Sequence, residues 1–355
     1  MTLFDTLGIK LPIIQAPMAG VSTPAMAAAV SNAGALGSIG AGATDAAGAR
    51  QMIAAFRERS RRALNVNVFC HHSAQPDPQV EAAWLEHLRP LFARFGAEPP
   101  PALHEIYQSF IVDDAMLAML VAERPQIVSF HFGLPAAARI RALRDAGIVL
   151  LASATSAVEA HALQAAGIDA VVAQGYEAGG HRGVFDPGAQ DDCLGTLALT
   201  RVLARTLDIP VIAAGGIMDG AGIAAALALG AAAAQLGTAF IACPESAADA
   251  GFRQALASGA AHHTVMTRAI SGRPARCLSN AFTALAAGVE GRRIPDYPIA
   301  YDAGKALNAA AKAAGDSGYG AQWAGQGAPL ARPGLPAAEL VEILAGELRQ
   351  VLHGQ

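Results

Sequence analysis

Residues 148–175 read IVLLASATSAVEAHALQAAGIDAVVAQG and contain one complete strand–helix–strand unit. The apolar runs Ile148–Ala154 and Ala170–Gly175 predict two buried parallel strands, because such strands read as short continuous apolar segments. Ser156–Ala166 predicts the helix between them, and Gly167 predicts its C-terminal cap, since glycine adopts the left-handed conformation without a steric penalty. This unit is the repeating element of an α/β fold.

The same unit recurs along most of the chain. Six more apolar runs predict strands: Ile13–Met18, Ala35–Gly40, Leu64–Cys70, Ile127–Gly133, Val211–Gly216 and Ala233–Phe240. Helical segments separate them, for example Pro24–Ala33, Asp45–Arg59, Pro135–Ala146, Thr196–Leu207 and Asp219–Leu229. Eight alternating strands and helices predict a (β/α)8 or TIM barrel. The alternative is a doubly wound sheet, which usually has fewer strands and a glycine-rich fingerprint after the first.

Two regions exceed what a barrel requires. Residues 71–126, between the third and fourth predicted strands, predict a helical insertion. Residues 241–334 predict a smaller, mainly helical cap domain. The apolar residues of segment 335–355 recur near a helical period, so we expect this segment to return as the eighth barrel helix. The predicted barrel therefore comprises residues 1–240 plus 335–355.

Composition excludes several classes of protein. Of the 355 residues 53% are hydrophobic and 15% charged, with a net charge of −4, so we expect neither a disordered chain nor a nucleic-acid-binding protein. Four widely spaced cysteines without a C-x-x-C pair predict no metal site and a reducing, cytoplasmic location. The uncharged stretch 220–244 is mostly alanine and glycine. Because membrane spans are rich in larger apolar residues, we interpret it as a buried helix and strand and expect no membrane contact.

Glycine-rich turns after the seventh and eighth predicted strands indicate a phosphate site. They read Ala213-Ala-Gly-Gly216 and Gln235-Leu-Gly-Thr238. Loops at these positions let backbone N–H groups approach a phosphate, and Thr238 can donate its hydroxyl. Either glycine pair alone could be a simple tight turn, but the two at adjacent strands favour a phosphate site. Uncharged amides at the strand ends, Asn67 and Gln174 among them, suit a neutral heterocycle better than a divalent metal.

Another glycine-rich loop, Gly175-Tyr-Glu-Ala-Gly-Gly-His-Arg-Gly183, follows the sixth predicted strand. It presents His181 at the catalytic end of the barrel, and histidine is the most frequent general base. A loop histidine can also be a solvated bystander, although its position here favours a function. His131 lies within an apolar strand and is either a core histidine or a pocket residue.

Tyr297, Tyr301 and Lys305 are spaced i, i+4 and i+8. A helix with Pro298 in its first turn would place all three near one face. Their phenols and ammonium group suit an anionic substrate. An ordinary amphipathic surface helix is the alternative interpretation of the same spacing.

Together these motifs resemble those of the nitronate monooxygenase family, formerly called 2-nitropropane dioxygenases. The similar segments are Ile13–Gly20, Asn65–Asn67, Ser129–Gly133, Gln174–Gly183, Ala213–Gly220 and Gln235–Phe240. The resemblance implies an FMN-containing barrel that oxidises alkyl nitronates with O2 to a carbonyl compound and nitrite, in a detoxification role. A small anionic nitronate, such as propionate 3-nitronate, and O2 are the expected partners of a monomer or homodimer.

The resemblance also implies site residues. His181 matches the catalytic base of the family. The predicted FMN-binding residues are Met18, Asn67, Gln174, Gly179, Gly180, Gly215, Gly216, Gln235, Leu236, Gly237 and Thr238. The predicted substrate-binding residues are Tyr107, His131, Tyr297, Tyr301 and Lys305.

Other functions are compatible with the same barrel. FMN-dependent NAD(P)H:quinone reductases and enoyl-thioester reductases share several of these motifs, and consumption of NAD(P)H would distinguish them. A third possibility is a non-catalytic barrel that binds a phosphate-containing ligand, which a colourless purified protein would support. Ser129–Gly133 and the cap pattern favour the nitronate enzyme.

Overall fold

The computed structural model describes residues 3–286 and 293–354. Residues 287–292 of the predicted cap, and residues 1, 2 and 355 of the predicted barrel, lie outside the described residues. The strands are β1 (Ile13–Gln15), β2 (Gly37–Gly40), β3 (Leu64–Phe69), β4 (Ile127–His131), β5 (Val149–Ala154), β6 (Ala170–Gln174), β7 (Gly180–His181), β8 (Val211–Ala214), β9 (Ala233–Leu236), β10 (Thr264–Thr267) and β11 (Ala275–Leu278).

Eight of these strands form one parallel sheet in the order β1-β9-β8-β6-β5-β4-β3-β2. A parallel bridge from Ile14 in β1 to Leu36, the residue before β2, joins the two ends of the sheet. The predicted (β/α)8 barrel is therefore confirmed.

The helices lie mostly between the barrel strands. They are α1 (Leu3–Thr6), α2 (Pro24–Asn32), α3 (Ala46–Arg57), α4 (Pro78–Arg94), α5 (Asp114–Glu123), α6 (Ala137–Asp145), α7 (Ala157–Ala165), α8 (Thr196–Thr206), α9 (Gly220–Ala228), α10 (Thr238–Ile241), α11 (Ala250–Leu256), α12 (Ala281–Ala286), α13 (Ile299–Ala313) and α14 (Ala337–His353). Gly147 and Gly167 follow the ends of α6 and α7 with φ of 80° and 82°, as their role as C-terminal caps requires. Across the described ranges no helix has both the length and the apolarity needed to cross a membrane.

The N-terminal segment closes one end of the barrel. Phe4 of α1 and Ile9 are buried in one cluster with the barrel residues Ile14, Leu151 and Ile212. Because this end is filled by apolar side chains, the opposite end, where the strands terminate, is the one that can hold a ligand.

Helix α14 packs against α9 and α2 and occupies the position of the eighth barrel helix. The approach to α9 is close: a Cβ atom added to Gly220 would lie 2.3 Å from the backbone nitrogen of Leu348. The Glu347 carboxylate accepts a hydrogen bond of 2.9 Å from the Gly220 N–H. Gly220 therefore permits the contact that returns the C-terminal segment to the barrel.

A second sheet lies above the barrel and was not predicted. It is antiparallel, in the order β10-β11-β7, and β7 belongs to the glycine-rich loop after β6. His181 pairs with Ala275, and Gly180 pairs with Arg276. The region predicted as mainly helical thus also contains strands, and one of them holds the His181 backbone in place.

Two predictions of local structure were wrong. The eighth barrel strand ends at Leu236 rather than at Phe240, because Gly237 adopts φ −106° and ψ −67° and the chain turns into α10. Helix α13 begins at Ile299, so Tyr297 precedes it instead of lying on its face. Proline restricts the residue before it to extended conformations, which explains why Tyr297 lies outside the helix.

Candidate functional site

A cavity opens at the C-terminal ends of the barrel strands, the face at which barrel enzymes bind their ligands. Most of the predicted site residues line it: Met18, Asn67, Tyr107, His131, Gln174, Gly179, Gly180, His181, Gly215, Gly216, Gln235, Gly237, Thr238, Tyr297 and Tyr301. The fold therefore brings these residues, which are distant in sequence, around one cavity.

Two predicted site residues do not line this cavity. Leu236 is 1% exposed and its side chain packs in the core, because neighbouring residues of a strand point to opposite faces and Gln235 faces inward. The Lys305 ammonium lies 4.7 Å from the centroid of the Tyr107 ring and 5.5 Å from that of Tyr301. The ammonium group therefore packs against two rings of the cavity wall and does not itself line the cavity.

One part of the cavity wall is formed by glycine backbone and a hydroxyl. Gly215 and Gly216 have φ of 129° and 69°, and within the described part of the chain the N–H groups of Gly216 and Gly237 donate no hydrogen bond. The Thr238 hydroxyl accepts from the Gly325 N–H at 2.9 Å, which leaves its own proton for another acceptor. Free N–H groups and a free hydroxyl proton are the donors that a phosphate requires.

Another part of the cavity wall carries amide side chains held in fixed orientations. Asn67 Nδ2 donates to the Ser129 carbonyl at 3.1 Å and contacts its hydroxyl at 3.0 Å. Gln174 Nε2 donates to the His181 carbonyl at 3.0 Å, and its Oε1 accepts from the Gly183 N–H at 2.7 Å. These amides are ordered without a ligand by their own partners.

His131 and His181 differ in their hydrogen bonds. His131 Nε2 lies 3.2 Å from the His181 carbonyl, which can only accept, so Nε2 carries the proton and Nδ1 accepts from Ser153 Oγ at 2.5 Å. Burial lowers the pKa of His131 to about 4. With both nitrogens occupied, His131 positions the His181 backbone and has no free nitrogen to accept a proton.

His181 is half-buried at the boundary between barrel and cap. Its Nε2 lies 2.9 Å from Ser271 Oγ, and its ring centroid lies 5.0 Å from that of Trp323 and 5.2 Å from that of Tyr297. Burial, reinforced by the charges of His131 and Arg273, lowers the pKa of His181 well below 6.5. The imidazole is therefore neutral near pH 7, the form that a general base needs.

Two buried polar groups, the Tyr297 hydroxyl and the Arg273 guanidinium, lie near the aromatic wall. The Tyr297 hydroxyl makes no hydrogen bond to the described residues, and burial raises its pKa well above 10. Arg273 is 3% exposed and lies 4.2 Å above the Phe132 ring, and within the described ranges it forms no ion pair. Burial lowers the pKa of its guanidinium to about 10, so it remains charged at pH 7. Arg273 donates to the Val184 carbonyl, and the charges of Glu159 and Asp186 partly stabilise it. A buried cation packed on Phe132, which lines the cavity, still favours an anionic ligand.

Sequence reasoning did not identify four residues of this region. They are Phe132, Ser271, Arg273 and Trp323. Trp323 is one of only two tryptophans, and that rarity was an available signal. Phe132 lies inside a motif that was identified, and its φ of 77° is unusual for a bulky residue. Ser271 and Arg273 carried no local signal, because their contacts with the site are distant in sequence.

Comparison with known proteins gives one consistent result. Residues 1–347 match the family model described as nitronate monooxygenase. The chain is 63% identical over 351 residues to a nitronate monooxygenase of Paraburkholderia phytofirmans, a match that covers 99% of this chain and 96% of that protein. It is 57% identical over 345 residues to a nitronate monooxygenase of Pseudomonas aeruginosa, with 97% of each covered.

A solved structure supports the same assignment. The nitroalkane oxidase of Streptomyces ansochromogenes is 42% identical, superposes with a TM-score of 0.90, and is matched over 99% of both chains. Similarity therefore extends over the barrel, the cap region and the cavity between them. This chain belongs to the nitronate monooxygenase family of oxidoreductases.

Proposed function

We propose that this family member is a cytoplasmic flavoenzyme that binds FMN in the cavity and oxidises alkyl nitronates with O2 to a carbonyl compound and nitrite. Detoxification of such compounds is its proposed role. The barrel, residues 1–240 plus 335–355, would hold the cofactor, and the cap, residues 241–334, would cover the substrate. The observation that carries the proposal is a cavity that is lined both by the glycine-rich turns with their free N–H groups and by His181.

The residues present fit FMN. Free N–H groups at Gly216 and Gly237, with the Thr238 hydroxyl, supply donors for the phosphate. Asn67 and Gln174 supply ordered amides for the polar edge of the flavin ring. The remaining predicted ligands are Met18, Gly179, Gly180, Gly215 and Gln235, with Leu236 contributing at most its backbone. When bound, FMN supplies the redox chemistry, since it accepts electrons from the substrate and returns them to O2.

The protein contributes orientation and charge. A nitronate is already deprotonated, so its oxidation requires no base. A neutral nitroalkane must first lose its α-proton, and neutral His181 is placed to accept it. The rings of Tyr107, Tyr297, Tyr301 and Trp323 line the cavity together with His181. The Tyr297 hydroxyl, which has no partner among the described residues, can donate to a nitronate oxygen.

One experiment separates this function from its alternatives. The visible spectrum of the purified protein is recorded, and the protein is then mixed without oxygen with propionate 3-nitronate or, separately, with NADH. We expect flavin absorbance that the nitronate bleaches and NADH does not. Bleaching by NADH alone would instead assign the protein to the NAD(P)H-dependent reductases. A colourless protein that binds no added FMN would support the non-catalytic barrel.

A further inference from the structure

Ser271, in the predicted cap, has a hydroxyl within hydrogen-bond distance of the His181 ring. Its Oγ lies 2.9 Å from His181 Nε2 and 3.2 Å from the carbonyl oxygen of Arg273. Ser271 is fully buried, at 0% exposure. Solvent therefore cannot replace either partner, and these two contacts determine where the hydroxyl proton points.

The contact with Arg273 decides the direction of the hydrogen bonds. A carbonyl oxygen only accepts, so Ser271 must use its single proton to donate to it. Among the described residues Ser271 is the only donor to this carbonyl, and a buried carbonyl without a donor is costly. The Ser271 oxygen is then left with lone pairs alone, and it accepts a hydrogen bond from His181 Nε2–H.

We propose that Ser271 is a positioning residue that fixes the tautomer of His181 and leaves Nδ1 as the atom that takes the α-proton of a nitroalkane. This inference rests on the proposed function of His181 as the base. In the reaction the C–H bond breaks, its electron pair stays on the substrate as the nitronate, and a new N–H bond forms at Nδ1. The imidazolium keeps its Nε2–H hydrogen bond to Ser271 throughout.

The surroundings of both residues restrict other arrangements. The His181 carbonyl accepts from Gln174 and lies within hydrogen-bond distance of His131, so its backbone is fixed on the barrel side. Ser271 is fixed on the cap side by Gly272, whose φ is 87° and where an added Cβ atom would lie 2.4 Å from the Pro295 carbonyl. With both ends held, the contact between Ser271 and Nε2 sets the orientation of the imidazole.

The tautomer can be measured directly without substrate. Protein labelled with ¹⁵N-histidine is studied by NMR near pH 7, where the shift of each ring nitrogen shows whether it carries a proton. The His181→Asn variant identifies the His181 signals by their loss. We expect a single tautomer in the wild type, with the proton on Nε2, and a mixture in Ser271→Ala. A proton on Nδ1 in the wild type, or an unchanged tautomer in Ser271→Ala, would overturn the inference.

Kinetics supply the second readout. Because a wrong tautomer impairs proton abstraction alone, Ser271→Ala should lower kcat/KM for a neutral nitroalkane by roughly tenfold or more and change nitronate turnover by less than about twofold. Ser271→Thr, which retains the hydroxyl, should restore most of the loss. Equal losses on both substrates would show a merely structural role and contradict the inference.

A control variant and the His181 variant distinguish failure of the proposed base from failure of the inference about Ser271. Ser31 is also buried and bonds only to backbone, to the Ala63 carbonyl and the Gly37 N–H, so Ser31→Ala should change neither readout. If His181→Asn leaves nitroalkane turnover intact, the assignment of His181 as the base fails. If His181→Asn abolishes it while Ser271→Ala has no effect on either readout, only the inference about Ser271 fails.

Discussion

The side chain of Gln174 joins the two sides of the His181 loop, because its amide donates to the His181 carbonyl and accepts from the Gly183 N–H. The distances are 3.0 Å and 2.7 Å. The same side chain lines the cavity where we propose that the flavin binds. One residue thus connects the proposed cofactor site with the proposed base.

Gln174→Leu should therefore impair two properties at once. It leaves the buried Gly183 N–H without an acceptor, which costs about 1–3 kcal/mol, and it releases the His181 carbonyl. We expect weaker FMN binding and a loss of roughly tenfold or more in nitroalkane kcat/KM, measured by flavin titration and steady-state kinetics. Gln164→Leu is the control, because Gln164 makes a similar pair of hydrogen bonds to Asp208 outside the cavity. Unchanged flavin affinity and turnover in Gln174→Leu would contradict this role.

His181→Asn should affect the two substrate classes differently. Removing the base should lower nitroalkane kcat/KM by roughly 10²–10⁴-fold, with a much smaller effect on nitronates, which have no proton to lose. His161→Asn, an exposed change on α7, should alter neither rate. Equal losses on both substrates would rule out His181 as the base.

The pH dependence of nitroalkane turnover follows from the lowered pKa of His181. Burial disfavours the imidazolium and lowers this pKa well below 6.5, and only the neutral ring accepts a proton. As pH falls, kcat/KM should therefore remain constant through pH 6.5 and decline only at more acidic values. Assays should keep the nitroalkane in its neutral form. A decline centred at or above pH 6.5 would contradict the assignment.

Thr238→Val should weaken FMN binding. The substitution keeps the shape of the side chain but removes the hydroxyl that bonds Gly325 and points into the proposed phosphate site. Loss of one such hydrogen bond, about 1.4 kcal/mol, corresponds to roughly tenfold in Kd. Titration of the FMN-free protein with FMN measures this Kd. Thr238→Ser, which keeps the hydroxyl, should retain the affinity. Thr206→Val on the outer helix α8 is a control. Equal affinity in Thr238→Val and wild type would exclude Thr238 as a phosphate ligand.

The barrel could be predicted from sequence because its signals are local. Each strand is a short apolar run, and glycines such as Gly147 and Gly167 mark helix ends through their positive φ. The cap sheet could not be predicted, because β7 has two residues and pairs His181 with Ala275, 94 positions away. No periodicity within a glycine-rich loop reveals such a partner.

In the site, too, the residues with local sequence signals were predicted and those with only long-range contacts were missed. Residues at strand ends, such as Asn67 and Gln174, line the cavity as expected, because a parallel barrel brings all strand ends together. Ser271 was missed because its contact with His181 spans 90 positions. Lys305 was predicted to bind substrate, yet the structure places its ammonium against Tyr107 and Tyr301, so its role remains a prediction.

Substitution of Lys305 tests whether its ammonium group attracts the substrate across the Tyr107 and Tyr301 rings. Propionate 3-nitronate has a carboxylate in addition to its nitronate, whereas ethyl nitronate has one negative charge. Across the Tyr107 and Tyr301 rings, a pair of unit charges about 8 Å apart contributes about 1 kcal/mol at an effective dielectric between that of a protein surface and that of water. Lys305→Met should therefore raise KM for propionate 3-nitronate roughly fivefold. KM for ethyl nitronate should change by less than about twofold, since it has no carboxylate for the ammonium to attract.

Salt and a matched lysine complete this test. Because exposed charges are screened by salt, the difference in KM between wild type and Lys305→Met should shrink as ionic strength rises. Lys312 lies on the same helix and is paired with Asp249, so Lys312→Met should leave both KM values unchanged. If Lys305→Met raises the two KM values equally, Lys305 acts by supporting the Tyr107 and Tyr301 rings and does not recognise the carboxylate.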